Sequence, residues 1–436
     1  MKTDKSKLMN YLALTLLVMV LTGFQVKASL LSRDKVARDT TVKIFTGKVI
    51  DDITKKPVIF ANVYIIGSSL GVVTNSNGEF ILKVPVSELG KKLGISNIGY
   101  KTVEISLSDL KDEDNIFRMQ TAAVELDEVV IRSDDPKTLI QMAMKRINQN
   151  YRINPDMLVG FYRETIKQNR NYVAVAEAVL DVYKSSYTSF ADYDRVRIYK
   201  GRKSEDVKKM DTLLFKLQGG PRTSFLLDVV KNPGVLFSED YIDNYYYANA
   251  GYASIDGRDN YVIEFYQRET VPEALYKGIV YIDTENMAIS RIEFSFSDQA
   301  LGIADNELVR KKPVNMKVDV LGGSYLVNYR LLDNLWYLNH VRSELVFKCL
   351  WPKKRYNSTY TTSLEMAVTD RTDNIVKTRY KDQSKMTDVF ADVVTNYQDE
   401  DYWGDYNYIK PDEDIQSVIK KLERKLKWEA IEDEDE

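Results

Sequence analysis

Hydrolytic and redox chemistry needs nucleophiles, general bases or metal ligands, and this 436-residue chain offers few: one histidine, His340, and one cysteine, Cys349. A hydrolytic zinc site takes two or three His or Cys ligands, which this pair does not supply. A Ser-His-Asp triad built on His340 lacks the G-x-S-x-G elbow that would present its nucleophile. The sequence carries no Walker loop and no G-x-G-x-x-G. Cys349 sits in the alternating run Val341 to Leu350, where a buried structural thiol is expected. Paired carboxylates remain, because 64 acidic residues are available. A glycan hydrolase would need two of them roughly 5 to 10 Å apart in a cleft. The acidic aromatic stretch Gln398 to Tyr406 offers oxygen ligands for Ca²⁺, but its spacing matches no recognised loop and a solvated linker is expected. No catalytic, cofactor-binding or metal-binding residue is assigned, and the expectation is a non-enzymatic protein without a cofactor.

The elements that would position His340 and Cys349 are strands. Phe161 to Thr165 opens a series of β-type runs: Tyr172 to Tyr183, Arg195 to Lys200, Tyr261 to Tyr266, Lys277 to Asp283, Ala288 to Phe296, Val314 to Val320, Ser324 to Leu332, Tyr337 to Phe347 and Ser358 to Val368. Alternation is plain in Tyr261 to Phe265 and Ile292 to Phe296, with Asp283 to Asn286 as a turn between strands. His340 falls at the start of one run. A helix over Pro136 to Tyr151 precedes the series, with Leu139, Met142, Ala143 and Ile147 at helical spacing and Asp134 or Asp135 as cap before Pro136. Nine or ten antiparallel strands predict a large curved sheet able to wrap something on its concave side. Residues 201–243 interrupt the strands. Met210 to Leu217 and Ser224 to Val230 read as helical, forming a lid or a packing layer, and the layer is expected. The 29 tyrosines, with the run Tyr241 to Tyr247, suit half-buried sheet or an aromatic rim that meets a partner.

The chain begins with Lys2, Lys5 and Lys7, runs apolar from Met9 to Phe24 and ends this stretch at Val26-Lys27-Ala28. This predicts a signal peptide over 1–28, with a retained anchor helix as the alternative. A flexible lead-in over 29–42 follows. The remainder is then expected in the periplasm, free or peripheral to the outer membrane, with no integral membrane span after cleavage. Net charge is −3, from 61 basic and 64 acidic residues well mixed along the chain, which does not resemble a nucleic-acid footprint. One cysteine excludes an intramolecular disulfide, so packing must supply stability.

Between Thr46 and Val130 the pattern is a compact all-β module, bounded as a domain at 43–132. Val49, Val63, Ile65, Val72, Phe80, Leu82 and Val84 are its expected core, and Asn77-Gly78 its expected hairpin turn. Gly47, Pro57, Ala61-Asn62-Val63, Thr74, Asn77 to Phe80, Ser96, Gly99-Tyr100 and Leu126 to Val130 resemble the carboxypeptidase-regulatory-like domain, a transthyretin-like β-sandwich common in envelope proteins of Bacteroidetes. Asn75 stands where that family has Asp, which argues against a cation there. The resemblance implies an accessory fold, not a peptidase, since the HxxE…H metal pattern cannot be drawn with one histidine. In the second domain, 133–369, the successions Gly257 to Phe265, Gly278 to Asp283 and Ala288 to Phe294 resemble the half-barrel lipoprotein-carrier fold. That resemblance implies an apolar concavity for a lipid or acyl chain.

Residues 370–436 form a charged C-terminal region. Its terminal helix carries the stripe Ile415, Ile419, Leu422 and Leu426, expected to dock on the protein itself or a partner because the acidic tail opposes an anionic bilayer. The fold expected is mainly β: a transthyretin-like sandwich, then a large antiparallel curved sheet, a half-barrel or another curved form, with a few helices. The function expected is a secreted envelope binding module for a lipid or acylated cargo. The alternatives are a scaffold docking an outer-membrane protein assembly, and a carboxylate-based glycan hydrolase.

Overall fold

The structure, a computed structural model, describes residues 41–122, 135–189, 191–205, 220–301, 317–350, 357–376, 378–397, 403–412, 415–417 and 419. The signal segment, Leu126 to Val130, the helix over 210–217, residues 398–402 and the stripe beyond Ile419 lie outside them.

The first unit is a sandwich of two small sheets. One holds β1 (Val42–Asp51), β4 (Glu79–Pro85) and β7 (Asn115–Met119) in the order β4-β1-β7. The other holds β2 (Asn62–Ile65), β3 (Gly71–Val73), β5 (Lys92–Ser96) and β6 (Val103–Ser106) in the order β3-β2-β5-β6. All seven residues expected in its core are buried together. Asn77-Gly78 corrects one expectation. It does turn the chain, but β3 and β4 lie in different sheets, so it is the corner between them and not a hairpin. Gly78 has φ +72°, and a Cβ there would collide with the Val49 carbonyl, so glycine is required.

The helix Pro136–Lys145 then starts as its sequence dictates, with the Asp135 side chain accepting from the Thr138 amide at 3.3 Å and Pro136 in the first turn. It leads into a ten-stranded antiparallel sheet of β8 (Asp156–Gln168), β9 (Asn171–Lys184), β10 (Arg195–Glu205), β11 (Tyr245–Ile255), β12 (Arg258–Gln267), β13 (Tyr276–Asp283), β14 (Ile289–Phe296), β15 (Lys317–Leu332), β16 (Leu335–Leu350) and β17 (Asn357–Thr372). The order is β10-β9-β8-β17-β16-β15-β14-β13-β12-β11. The sheet is open, with β10 and β11 at its edges.

One sequence reading changes here. The described part of the run Val314 to Val320, from Lys317 on, and Ser324 to Leu332 join in one strand, β15, because Gly322-Gly323 continues through a bulge in place of a turn. The tyrosine run at the end of the insert opens β11, with Tyr245 buried and Tyr246 exposed in strand alternation, the half-buried sheet expected of it.

The topology explains the insert. After β10 the chain must travel from one edge of the sheet to the other before β11, and it crosses the inner face on the way. Phe225, Leu227, Val229, Val230, Leu236 and Phe237 are buried in one cluster with inner-face residues such as Ile263, Phe265, Val327 and Trp336. The described part of the insert is therefore a packing layer. Its helix is shorter than expected, Pro221–Leu226. Lys184 fastens the layer: its Nζ lies 2.7 Å from Asp194 and 2.7 Å from Asp228, and the Tyr329 hydroxyl donates to the other Asp228 oxygen at 2.7 Å. Burial alone would lower the Lys184 pKa; the two carboxylates outweigh it and raise it.

Candidate functional site

Strand alternation gives the large sheet two chemically different faces, and β8 shows both between Phe161 and Ile166. Phe161, Arg163 and Thr165 point outward; Tyr162, Glu164 and Ile166 point inward.

On the outer face Arg163 sits opposite Glu177 in the β8–β9 register. Its Nε donates to Glu177 Oε1 at 2.6 Å and its Nη2 to the Ile409 carbonyl at 2.7 Å, while Arg202 Nε donates to Glu177 Oε2 at 2.6 Å. Burial would raise the Glu177 carboxyl, but Arg163 and Arg202 prevail and lower it. On β16, His340 Nε2 lies 3.1 Å from Glu365 Oε1, and Arg342 reaches the other Glu365 oxygen at 3.8 Å. Burial pushes Glu365 up; the histidine hydrogen bond and the charges of Arg342 and Arg163 hold it at about 2.

The sandwich rests on this face. Phe60 lies 5.7 Å from the His340 ring and 5.0 Å from the Arg342 guanidinium. Asn339 Nδ2 donates to Asn62 Oδ1 at 2.8 Å, Ser69 Oγ to Asp370 at 2.7 Å, and Arg330 to the Ser68 carbonyl at 2.9 Å while covering the Tyr64 ring. The C-terminal segment closes the seam. Asn407 pairs with the Lys83 backbone in both directions, at 2.7 and 3.0 Å, and Lys410 meets Glu79 at 3.2 Å. Trp403 packs edge-on against Phe161, and Ile415 and Ile419 are buried with Val175. The expectation of a solvated linker over Gln398 to Tyr406 is thus corrected for its described part, because Phe161 and Tyr408 offer Trp403 an apolar seat. The docking expected of Ile415 and Ile419 is to their own chain.

A cavity of about 200 Å³ remains in the seam, lined from the sandwich by Phe60, Asn75 and Ser76, from the sheet by residues including Arg163, Lys167, Arg342 and Glu365, and from the C-terminal segment by Asp412 and Ile415. Glu344 and Glu365 both line it, both held by Arg342. A glycosidase acid needs a raised pKa, and Glu365 is displaced the other way.

On the inner face Glu164 is buried between Ala176 and Leu364 on the neighbouring strands. Its Oε1 accepts from the Tyr162 hydroxyl at 2.6 Å. Burial raises the carboxyl to about 8, only partly opposed by that bond, so it is neutral at pH 7. The Thr362 hydroxyl on β17, one pair further along the same face, is buried without a partner. Around them the lining is apolar: Tyr360, Leu364, Leu345, Phe347, Phe294 and Tyr325.

The two residues first suspected of chemistry are not brought together: His340 is tied to Glu365 behind the seam on the outer face, and Cys349 lies in the inner cluster. His340 lies in the middle of β16, not at its start, because the strand begins earlier, at Leu335; it is fully buried. Cys349 is fully buried in the inner cluster, and burial pushes its thiol up to about 12. Among the described residues no group of three or more His, Cys, Asp or Glu is arranged to hold a metal. Sequence reasoning missed Arg163, Glu177, Glu164 and Glu365. The turn at Asn169-Arg170 carries part of the signal, because a short hairpin fixes register and brings Arg163 beside Glu177. The bulge at Ile166 and Lys167 then shifts the pairing the last residue, and no turn rule encodes it.

Residues 45–131 match the family model of the CarboxypepD_reg-like domain. This sandwich is a CarboxypepD_reg-like domain. No curated protein matches the chain in sequence. Solved structures similar to part of it include a DUF1329 family protein from Desulfovibrio piger, 13% identical over 56% of this chain and 96% of that one, with a TM-score of 0.22. A putative outer membrane lipoprotein-sorting protein domain from Vibrio parahaemolyticus is also 13% identical, over 57% and 97%, with a TM-score of 0.22. MucB in its complex with MucA is 11% identical over 56% and 100%, with a TM-score of 0.17. No described helix is long and apolar enough to cross a membrane.

Proposed function

We propose that the protein is a non-enzymatic binding module of the cell envelope, resident in the periplasm, whose ligand is a lipid or an acylated molecule. The observation that carries this reading is the inner face of the large sheet. It is apolar across adjacent strands, from Ala176 and Leu364 through Leu345 and Phe347 to Phe294, and it is covered by the crossover segment, the helix Pro136–Lys145 and Phe390 and Val394 of the C-terminal region, not by a second sheet. Covering segments that are not hydrogen-bonded into the sheet as strands can separate from it more readily than paired strands can. An acyl chain between cover and sheet would exchange one apolar surface for another. The Glu164 carboxyl and the Thr362 hydroxyl supply the small number of polar contacts that orient such a ligand. The CarboxypepD_reg-like domain supports the reading as an accessory unit fixed to the opposite face.

A second reading, a scaffold for an outer-membrane protein assembly, is favoured by edge strand β11, where Tyr246 is 56% exposed and Tyr266 beside it 44%. Native mass spectrometry with lipid extraction, on protein purified from its own periplasm, separates the two. A lipid bound at stoichiometric level is expected. Protein free of lipid, in stable complex with another protein, would transfer the function to β11.

A further inference from the structure

The seam cavity lies on the outer face, away from the proposed lipid surface, and its polar groups are unevenly used. Each carboxylate in its wall already has donors. Glu365 has His340 and Arg342; Glu344 has Arg342 at 3.1 Å and Ser363 at 3.3 Å; Asp412 accepts from Ser76 at 2.9 Å and from the Ile415 amide at 2.8 Å. The donors are not so provided. Asn75 is 4% exposed, and its Oδ1 accepts from the amides of Asn77 and Glu79, both at 2.9 Å, which fixes the amide orientation; its Nδ2 is buried with no partner. Lys167 lies 4.3 Å over the Tyr172 ring, and among the described residues no carboxylate pairs with it. A buried amide without an acceptor carries its full desolvation penalty, so a site that keeps one has a use for it.

We propose that this cavity binds a small soluble anion carrying a phosphate or carboxylate group, with Asn75 Nδ2 and Lys167 Nζ as its donors and Arg163 and Arg342 as fixed positive charges. A volume of about 200 Å³ admits such a group with a short tail. The anion would touch sandwich, sheet and C-terminal segment at once. Binding would therefore tighten the seam, and the site is independent of the lipid reading.

The test is calorimetric titration of the purified chain with inorganic phosphate and, separately, succinate, against chloride at matched ionic strength. Saturable binding with a Kd of about 1 mM or tighter is expected for at least one of them. Lys167→Met keeps the stem and removes the charge, and should weaken binding at least about tenfold, the effect of one charge-assisted contact. Asn75→Asp keeps the two turn acceptors and sets a carboxylate against the anion, and should abolish binding. Lys101→Met, on the exposed sandwich surface, should change nothing. Hydrogen exchange should show residues 75–80 and 407–412 protected when the anion is bound. Absence of saturable binding, equal loss from Lys101→Met, or full binding by Lys167→Met would each overturn the proposal. Lys167 is partly exposed, so that variant stays informative if Asn75→Asp fails to fold. Sedimentation with vesicles containing phosphatidylglycerol separates the sources: association that depends on Lys167 would overturn the soluble anion in favour of a headgroup.

Discussion

Arg163 and Glu164 are adjacent in sequence and both buried, yet they face opposite sides of one sheet and meet opposite solutions to the same problem. Taking a charge out of water is costly unless it is paired or neutralised. On the outer face, Arg163 is paired with Glu177 at 2.6 Å, and Arg163 and Arg202 together hold the Glu177 carboxyl below its ordinary range against the effect of burial. On the inner face, Glu164 has only a tyrosine hydroxyl among apolar neighbours and gives up its charge. The outer face is thus built to hold parts of this chain together. Around Glu164 the inner face stays apolar while retaining a neutral polar group; at the far end of β9 it uses the outer solution instead, Lys184 being paired with Asp194 and Asp228.

The largest effect expected comes from breaking the outer solution. Arg163→Met leaves Glu177 with Arg202 alone and strips the Ile409 carbonyl of its donor, so urea denaturation should show a loss of about 3–5 kcal/mol, the cost of orphaning one member of a buried pair. A loss below about 1 kcal/mol would mean that water reaches Glu177 and that the seam is looser than its distances indicate.

The second effect has the opposite sign. Glu164 has a folded pKa of about 8 against 4.5 unfolded, so the native state binds the extra proton. Its contribution is fully present below pH 4.5 and is lost as pH rises toward 8. Glu164→Gln keeps the bond to Tyr162 without the titration. It should flatten the stability profile in that window and gain on the order of a few kcal/mol at pH 8, since each tenfold change in proton affinity is worth about 1.4 kcal/mol. Glu365 titrates the other way. Its pKa of about 2 lies below 4.5, so its contribution is present above pH 4.5 and disappears as pH falls toward 2. Glu365→Gln should therefore remove acid sensitivity where Glu164→Gln removes alkaline sensitivity. Identical profiles for the two variants would erase the contrast between the faces.

How much of this was legible beforehand follows the same division. The sandwich core could be read because its strands alternate cleanly and one face is buried, so Val63, Ile65, Phe80 and Leu82 announce themselves. The strands of the large sheet could be located for the same reason. Alternation does not say which of two faces is inner when both are buried, and all of Asp156 to Ile166 is buried. Hence Arg163 and Glu164 read alike. The order of strands was also hidden, since β17 pairs with β8 and no local signal encodes a contact such as Gln168 with Ser358, 190 residues apart. The role of the C-terminal segment was obscured by composition. Its charges suggested solvent, whereas Asn407 and Trp403 are specific partners for a strand edge and an aromatic ring.

The smallest of these effects isolates that C-terminal segment from the charge network beneath it. Asn407 donates to and accepts from the Lys83 backbone, copying the pair of bonds an added strand would make with β4. Asn407→Ala removes both bonds from the buried Lys83 backbone, a loss of about 1–3 kcal/mol in the equilibrium that releases the segment. The sandwich core does not use Asn407. Global unfolding should therefore shift less than local exchange, and amides from Tyr406 to Asp412 should exchange faster while those of β2 and β5 do not. If exchange in β2 rises in step, the segment and the sandwich open as one unit. The outer face would then be a single cooperative surface, with C-terminal segment, sandwich and ion pairs released together, and Arg163→Met should expose the same set of amides.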